Sequence, residues 1–241
     1  MKLDHLSPSS LNKFSNCPRK FQLSKTRKVG IAVPEKPRLY GKSIHNCLAI
    51  YFQKIPDKPT GEEIELVARE TFEECKTFAM KGFKAKTKRV LENFIGFEKK
   101  RLRTWKVYKP TLVEKWMEAK IFEDLPSFRV IIDFYGDGTI LDWKTGKAGG
   151  MSESRLRQGK IYELVLAKLG YSVERVTFFS LDVGTNLQVP RVTAGWIYKE
   201  ARRMVDMAEN DRFPKKPSGL CPYCEFQIDC EFSDRCLFWG I

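Results

Sequence analysis

FRVIIDFYGDGTILDWKT, residues 128–145, decides the fold. Two β-rich runs flank Gly136-Asp137-Gly138, and a two-residue turn on Asp137-Gly138 predicts an antiparallel hairpin. Such a turn pairs Gly136 with Thr139 and, counting outward, sets Asp133 opposite Asp142 with both carboxylates on one face. Cβ atoms of opposed residues stand about 4.5–5.5 Å apart, and like charges so placed destabilise a sheet unless something neutralises them. A divalent cation does so, and hard oxygen ligands suit Mg2+ or Mn2+. The two-residue period of a strand puts Lys144 on the same face as Asp142.

Working outward, Ser7 followed by Pro8 predicts a helix carrying Leu11, Phe14 and Phe21, which Pro18 kinks or ends. VPEKPRLYG, residues 33–41, reads as a loop before a helix from about 42 to 54 with Ile44, Leu48, Tyr51 and Phe52 inward and His45 on the border of that stripe. Helices over about 61–81 and 84–105 precede strands in TLVEKWMEAKIF (111–122), FRVIIDFY and TILDWKT. A helix over about 152–169, strand ERVTFFSL (174–181), a short strand near LQVPRV (187–192) and a helix over about 194–209 complete the order. This is an α/β pattern: a mixed central β-sheet flanked by helices, a helical part over 1–110, a core over 111–210 and a tail over 211–241. His5 falls in a segment expected to be mobile.

The 241 residues can bury a sizeable core as one unit. No basic leader followed by an apolar stretch stands at the start, and no apolar run approaches the roughly 18 residues of a membrane span, so a soluble, cytoplasmic protein is expected. A net charge of +13 suits a polyanionic partner, nucleic acid above all. Basic runs at 84–89 and 98–103 could follow a phosphate backbone or form ordinary solvated helix faces.

Seven cysteines are an odd number, and Cys221-x-x-Cys224 with Cys230 favours metal over a disulfide framework in a reducing compartment. Cys17 and Cys236 compete as the fourth ligand. From spacing, zinc and an iron–sulfur cluster are equally open. Cys47 and Cys75 read as small buried apolar residues in helices.

SSLNKFSNCPRKF (9–21), GKSIH (41–45), VIID with ILDWKTG (130–133 and 140–146), QGKIY (158–162) and CPYCEFQIDC (221–230) together resemble the PD-(D/E)xK nuclease superfamily. Within it they are similar to the RecB-like exonucleases that carry an iron–sulfur cluster, the type found in CRISPR-associated exonucleases and the AddB nuclease domain. The resemblance covers nearly the whole chain and implies a restriction-endonuclease-like core. It implies metal ligation by His45, Asp133, Asp142 and the Trp143 carbonyl, a catalytic Lys144, and Gln158 and Tyr162 as substrate-binding or orienting groups. It also implies a [4Fe-4S] cluster on Cys17, Cys221, Cys224 and Cys230, tying the tail to the N-terminus, and this context favours Cys17 over Cys236.

The function expected is a Mg2+- or Mn2+-dependent DNA exonuclease acting on single strands or duplex ends in recombination, repair or CRISPR spacer acquisition. Other DNA-processing or CRISPR integration proteins are the implied partners, and unwinding falls to one of them because no phosphate-binding helicase loop is present. Two other readings use the same residues: a non-catalytic iron–sulfur module that holds DNA ends, and a zinc-bound structural protein with incidental hairpin acids.

Overall fold

The computed structural model describes residues 1–27, 35–146, 149–219, 221–227, 229 and 230. In chain order the elements are β1 (His5–Leu6), α1 (Pro8–Asn16), α2 (Pro18–Thr26), α3 (Glu35–Lys54), α4 (Gly61–Glu74), a 3-10 turn (Thr77–Ala79) and α5 (Lys84–Thr104). There follow β2 (Leu112–Ala119), β3 (Ser127–Gly136), β4 (Thr139–Lys144), α6 (Glu153–Lys168), β5 (Arg175–Ser180), β6 (Thr185–Gln188), α7 (Ala194–Glu209) and a second 3-10 turn, Cys221–Tyr223. The result is a mixed α/β fold with a mixed sheet between helices.

The predicted hairpin forms. Asp137 (φ 46°) and Gly138 (φ 68°) both occupy the left-handed region, as a type I′ turn requires. Pairing runs outward through Gly136–Thr139, Tyr135–Ile140 and Phe134–Leu141. It stops there, one rung short of the two aspartates.

β3 is the axis of the sheet. One edge pairs antiparallel with β2 from Ala119–Phe128 to Leu112–Tyr135. The other edge is shared by two strands: β1 lies parallel beside Ser127 and Phe128, and β4 lies antiparallel beside residues 134–136. Between them, residues 129–133 have no strand partner on that side among the described residues. β4 continues parallel to β5 through the α6 crossover, and β6 returns antiparallel on β5.

Two apolar cores lie on the two faces of the sheet. α1, α2, α6 and α7 cover Phe128, Val130, Ile132, Ile140 and Phe178, while α3, α4 and α5 cover Phe134, Leu141, Trp143 and Phe179. Along β3 the inward alternation slips between Ile132 and Phe134, so that Tyr135 returns to the first face. On β2 the same slip separates Leu112 from Met117 and Ala119, across Glu114, whose φ of 44° is left-handed. Both strands kink on one rung, so their register is undisturbed.

Several local expectations change. α3 begins about two turns earlier than its apolar stripe suggested, because Pro37 sits in its first turn, where a missing N–H costs nothing. α4 ends at Glu74 and gives way to the 3-10 turn rather than running to residue 81. His5 is not in a loose terminus: its strand pairs with β3, and the Met1 ammonium donates to the Ala208 carbonyl. Cys47 is buried, whereas Cys75 caps α4 and is only partly covered. β6 precedes its expected position, with Pro190 outside the strand.

Pro18 does end the first helix. Cys17, extended at φ −160°, is at once the C-cap of α1 and the N-cap of α2, so it stands on a corner. Contacts of the tail with these helices include Lys216 to the Ser15 carbonyl (3.1 Å), Lys20 to Glu225 (3.4 Å) and the Phe21–Phe213 ring pair (6.3 Å).

Candidate active site

A cleft of about 690 Å³ opens where β4 leaves β3. Its wall includes His45 from α3, Glu114 from β2, Asp133 from β3, Asp142 and Lys144 from β4, and Gln158 and Tyr162 from α6. Three packing relationships bring these elements together.

Trp143 anchors β4. Its ring is 1% exposed and meets Phe52, Phe94, Phe97, Phe134 and Phe179 at centroid separations of 5.6–6.4 Å. With that side chain fixed in one core, strand alternation turns Asp142 and Lys144 to the opposite face, toward α6. Gly41 lets α3 approach the end of the hairpin, since a Cβ there would lie 3.1 Å from Thr145 Oγ1. His45 follows one helical turn later. Gly159 serves α6 in the same way, because a Cβ would stand 2.8 Å from Val189 Cγ2.

Asp133 takes the rung that the ladder gives up. Its Oδ2 accepts the Trp143 main-chain N–H at 2.9 Å and lies 3.4 Å from His45 Nδ1. His45 Nδ1 lies 3.0 Å from Glu114 Oε1, and Nε2 lies 3.0 Å from the Trp143 carbonyl oxygen. Burial pushes the His45 imidazole down, but hydrogen bonds and charge from Asp133 and Glu114 outweigh it and raise the group to about 10. The ring is therefore an imidazolium that donates from both nitrogens.

Asp142 sits in a second knot. Its Oδ1 accepts from Gln158 Nε2 (2.9 Å) and from the Tyr162 hydroxyl (3.1 Å). Gln158 Nε2 also donates to the Tyr162 oxygen at 2.6 Å, and its Oε1 accepts from Lys144 Nζ at 3.2 Å. Lys144 Nζ stands 2.5 Å from the buried Asp142 Oδ2 and forms an ion pair with it. Burial and then the Asp133 charge push Asp142 up to about 6, against the pull of Lys144 and His45. Burial likewise raises the Tyr162 hydroxyl.

One ligand atom each from His45, Glu114 and Asp133 falls within 4.8 Å of the others, a donor set of the size that holds one cation. Asp142 lines the same cleft, and these carboxylates with the imidazole suit a hard divalent ion. Glu114 is the member that sequence reasoning missed. A strained φ on a non-glycine residue costs on the order of 1–3 kcal/mol and recurs at functional sites, but it is not visible in sequence. The β2–β3 connection is too long to fix which β2 residue meets Asp133.

The cysteines gather elsewhere. Cys17, Cys221, Cys224 and Cys230 line one cavity of about 360 Å³, together with Lys13, Lys20 and Lys216. The Ser218 N–H donates to Cys221 Sγ at 3.3 Å. Cys236 lies outside the described residues.

A family model for the PD-(D/E)XK nuclease superfamily matches residues 5–231. The chain belongs to that superfamily. A comparison with curated proteins finds no match. PD-(D/E)XK nucleases are metal-dependent, and this class implies DNA as substrate. The mixed sheet is the restriction-endonuclease-like core of a PD-(D/E)XK nuclease, and the cleft supplies it with an acidic metal-binding candidate. Among the described residues no helix is long and apolar enough to cross a membrane.

Proposed function

We propose that this PD-(D/E)XK nuclease is a Mg2+- or Mn2+-dependent DNA exonuclease of the RecB-like type, acting on single strands or duplex ends in recombination, repair or CRISPR spacer acquisition. The observation that carries the reading is the convergence of His45, Glu114, Asp133, Asp142 and Lys144 on one cleft. His45, Asp133, Asp142 and Glu114 would hold the ion, with the Trp143 carbonyl beside them. The ion would supply a Lewis acid for the phosphate and lower the pKa of a bound water.

The chain's own groups do the rest. Lys144, held between Asp142 and Gln158, brings an ammonium to the attacking water and to the charge that develops on the phosphate. Gln158 and Tyr162 lock Asp142 by donating to its Oδ1, while Lys144 pairs with its Oδ2. Asp133 is fixed by the Trp143 main-chain N–H, with His45 beside it. Lys42 and Lys144 line the cleft and offer the approaching backbone a cationic path.

The second part of the proposal is a [4Fe-4S] cluster on Cys17, Cys221, Cys224 and Cys230. All four cysteines line one cavity, which supports a shared metal group on them. The three lysines around the cavity offset thiolate charge, and the Ser218 N–H is a ready donor to sulfur.

Digestion of 5′- and 3′-labelled DNA with and without Mn2+ tests the activity. Mononucleotides or short products released from an end support the exonuclease. Absence of any Mn2+-dependent product from iron-replete protein overturns it.

A further inference from the structure

Beyond the acids, β2 and β3 expose two large apolar side chains side by side. Trp116 and Ile131 are cross-strand partners, 55% and 51% exposed, in a sheet whose other face is packed. Single exposed apolar residues are ordinary, but a pair in the wall of a polar cleft is not. Both line the cleft that holds Asp133, Asp142 and Lys144. Ile131 is one side-chain repeat from Asp133 along β3, about 7 Å.

Arg129 flanks the platform. The Arg129 guanidinium lies 5.7 Å from the Trp116 ring centroid. Its Nε donates to Glu118 Oε2 at 2.9 Å and its Nη1 to His5 Nδ1 at 3.0 Å. Burial and the neighbouring Arg129 charge hold His5 below its ordinary value, which suits a neutral ring that accepts from arginine. Pairing with β3 fixes His5 in place, so the N-terminal strand buttresses the arginine.

We infer that Trp116, with Ile131 beside it and Arg129 at its edge, is a stacking platform for one unpaired nucleobase of the strand whose phosphate enters the acidic cleft. This rests on the nuclease reading of the neighbouring acids and names the form of DNA they receive. An exposed aromatic ring with an adjacent cation matches a base with its phosphate, a pairing worth about 1–3 kcal/mol per base. A base inside a duplex has both faces covered, whereas an unpaired base at a single-stranded or frayed end brings a free face to the platform. The +13 charge of the chain favours this polyanion over an acidic or neutral protein surface as the occupant.

The test compares wild type, Trp116→Ala and Trp116→Phe in EDTA, where hydrolysis is silent. The probes are a fluorescein-labelled single-stranded 12-mer, the same strand with an abasic position next to its end, and a blunt duplex. Trp116→Ala is expected to weaken binding of the intact single strand roughly 5- to 150-fold. Trp116→Phe should keep most of the affinity, and the abasic strand should bind wild type and Trp116→Ala alike. Equal affinity of Trp116→Ala and wild type for the intact strand overturns the proposal. So does an equal loss on the intact and abasic strands. A change in oligomeric state on sedimentation, with DNA affinity unchanged, assigns the face to a protein contact and overturns it as well. Circular dichroism and the melting temperature of each variant exclude a folding defect. Mn2+-dependent cleavage by wild type is scored separately: cleavage with an indifferent Trp116 sinks the platform alone, and base-dependent binding without cleavage sinks the nuclease reading alone.

Discussion

The Trp143 main-chain N–H donates to Asp133 Oδ2 across 2.9 Å, at the rung where the β3–β4 ladder ends. One carboxylate thus closes the sheet and faces the cation site. The two duties separate on substitution. Asp133→Asn keeps an acceptor for the N–H and should fold normally while losing cation affinity. Asp133→Ala should lose a further ~1–3 kcal/mol of stability, because a buried donor is left without a partner. Titration calorimetry with Mn2+ and denaturant unfolding of both variants read the two effects; equal stability of the pair would show that the N–H finds another partner.

Asp142 is held at a cost in the absence of a cation. Its raised pKa of about 6 means that the folded state disfavours the charged form. The contribution is fully present below the unfolded value of 3.8 and is lost as pH rises through 6. Asp142→Asn should therefore stabilise the metal-free protein above that pH, on the order of 1–3 kcal/mol, while abolishing cleavage. A lower melting point for Asp142→Asn in EDTA at neutral pH would contradict this.

His45 adds a proton linkage. The imidazolium is favoured in the folded state, so its contribution is complete below 6.5 and lost as pH rises through about 10. A bound cation must expel that proton. The rise in melting temperature caused by Mn2+ should accordingly grow between pH 6.5 and about pH 8. A pH-independent shift would mean that the ion leaves His45 protonated.

The cysteine cavity predicts a grouped response. Alanine at Cys17, Cys221, Cys224 or Cys230 should each remove iron and lower the melting point, whereas Cys75→Ser should retain iron. Iron and sulfide analysis of the purified variants decides it, and a Cys17→Ala protein with full iron content would detach the N-terminal helices from the cluster.

Away from both sites, Glu98 and Arg101 form a fully buried pair at 2.7 Å, with Tyr108 donating to Glu98 at 2.6 Å and the guanidinium over Phe52, Trp105, Tyr108 and Phe134. Glu98→Ala should cost about 3–5 kcal/mol, since it strands a buried cation. Urea unfolding measures the loss.

Legibility in the sequence followed the range of the interaction that fixes each feature. The hairpin and its pairing are set by two adjacent residues, Asp137 and Gly138, and were readable. So was α6, expected over about 152–169 and found over Glu153–Lys168. Helix packing on both faces delivered Asp133, Asp142, Lys144, Gln158, Tyr162 and His45 to one cleft. Glu114 and Trp116 were not readable, because their positions depend on β2–β3 register, which a seven-residue connection leaves open. β1 is two residues long and owes its existence to β3, more than a hundred residues away.

The partners of α1 and α2 set a schedule for synthesis. Phe14 and Phe21 pack with Ala208 and Phe213, and the thiols opposite Cys17 begin at Cys221. A ribosome adding roughly 5–20 residues per second leaves those two aromatic rings without this last part of their cover for about 10–40 s. During that interval the nascent chain holds an amphipathic helix pair that can dock on α6 but lacks the part of its cover that α7 and Phe213 supply. Chaperone demand should therefore fall on the opening helices, and slow codons late in the message would lengthen their exposure more than slow codons early in it.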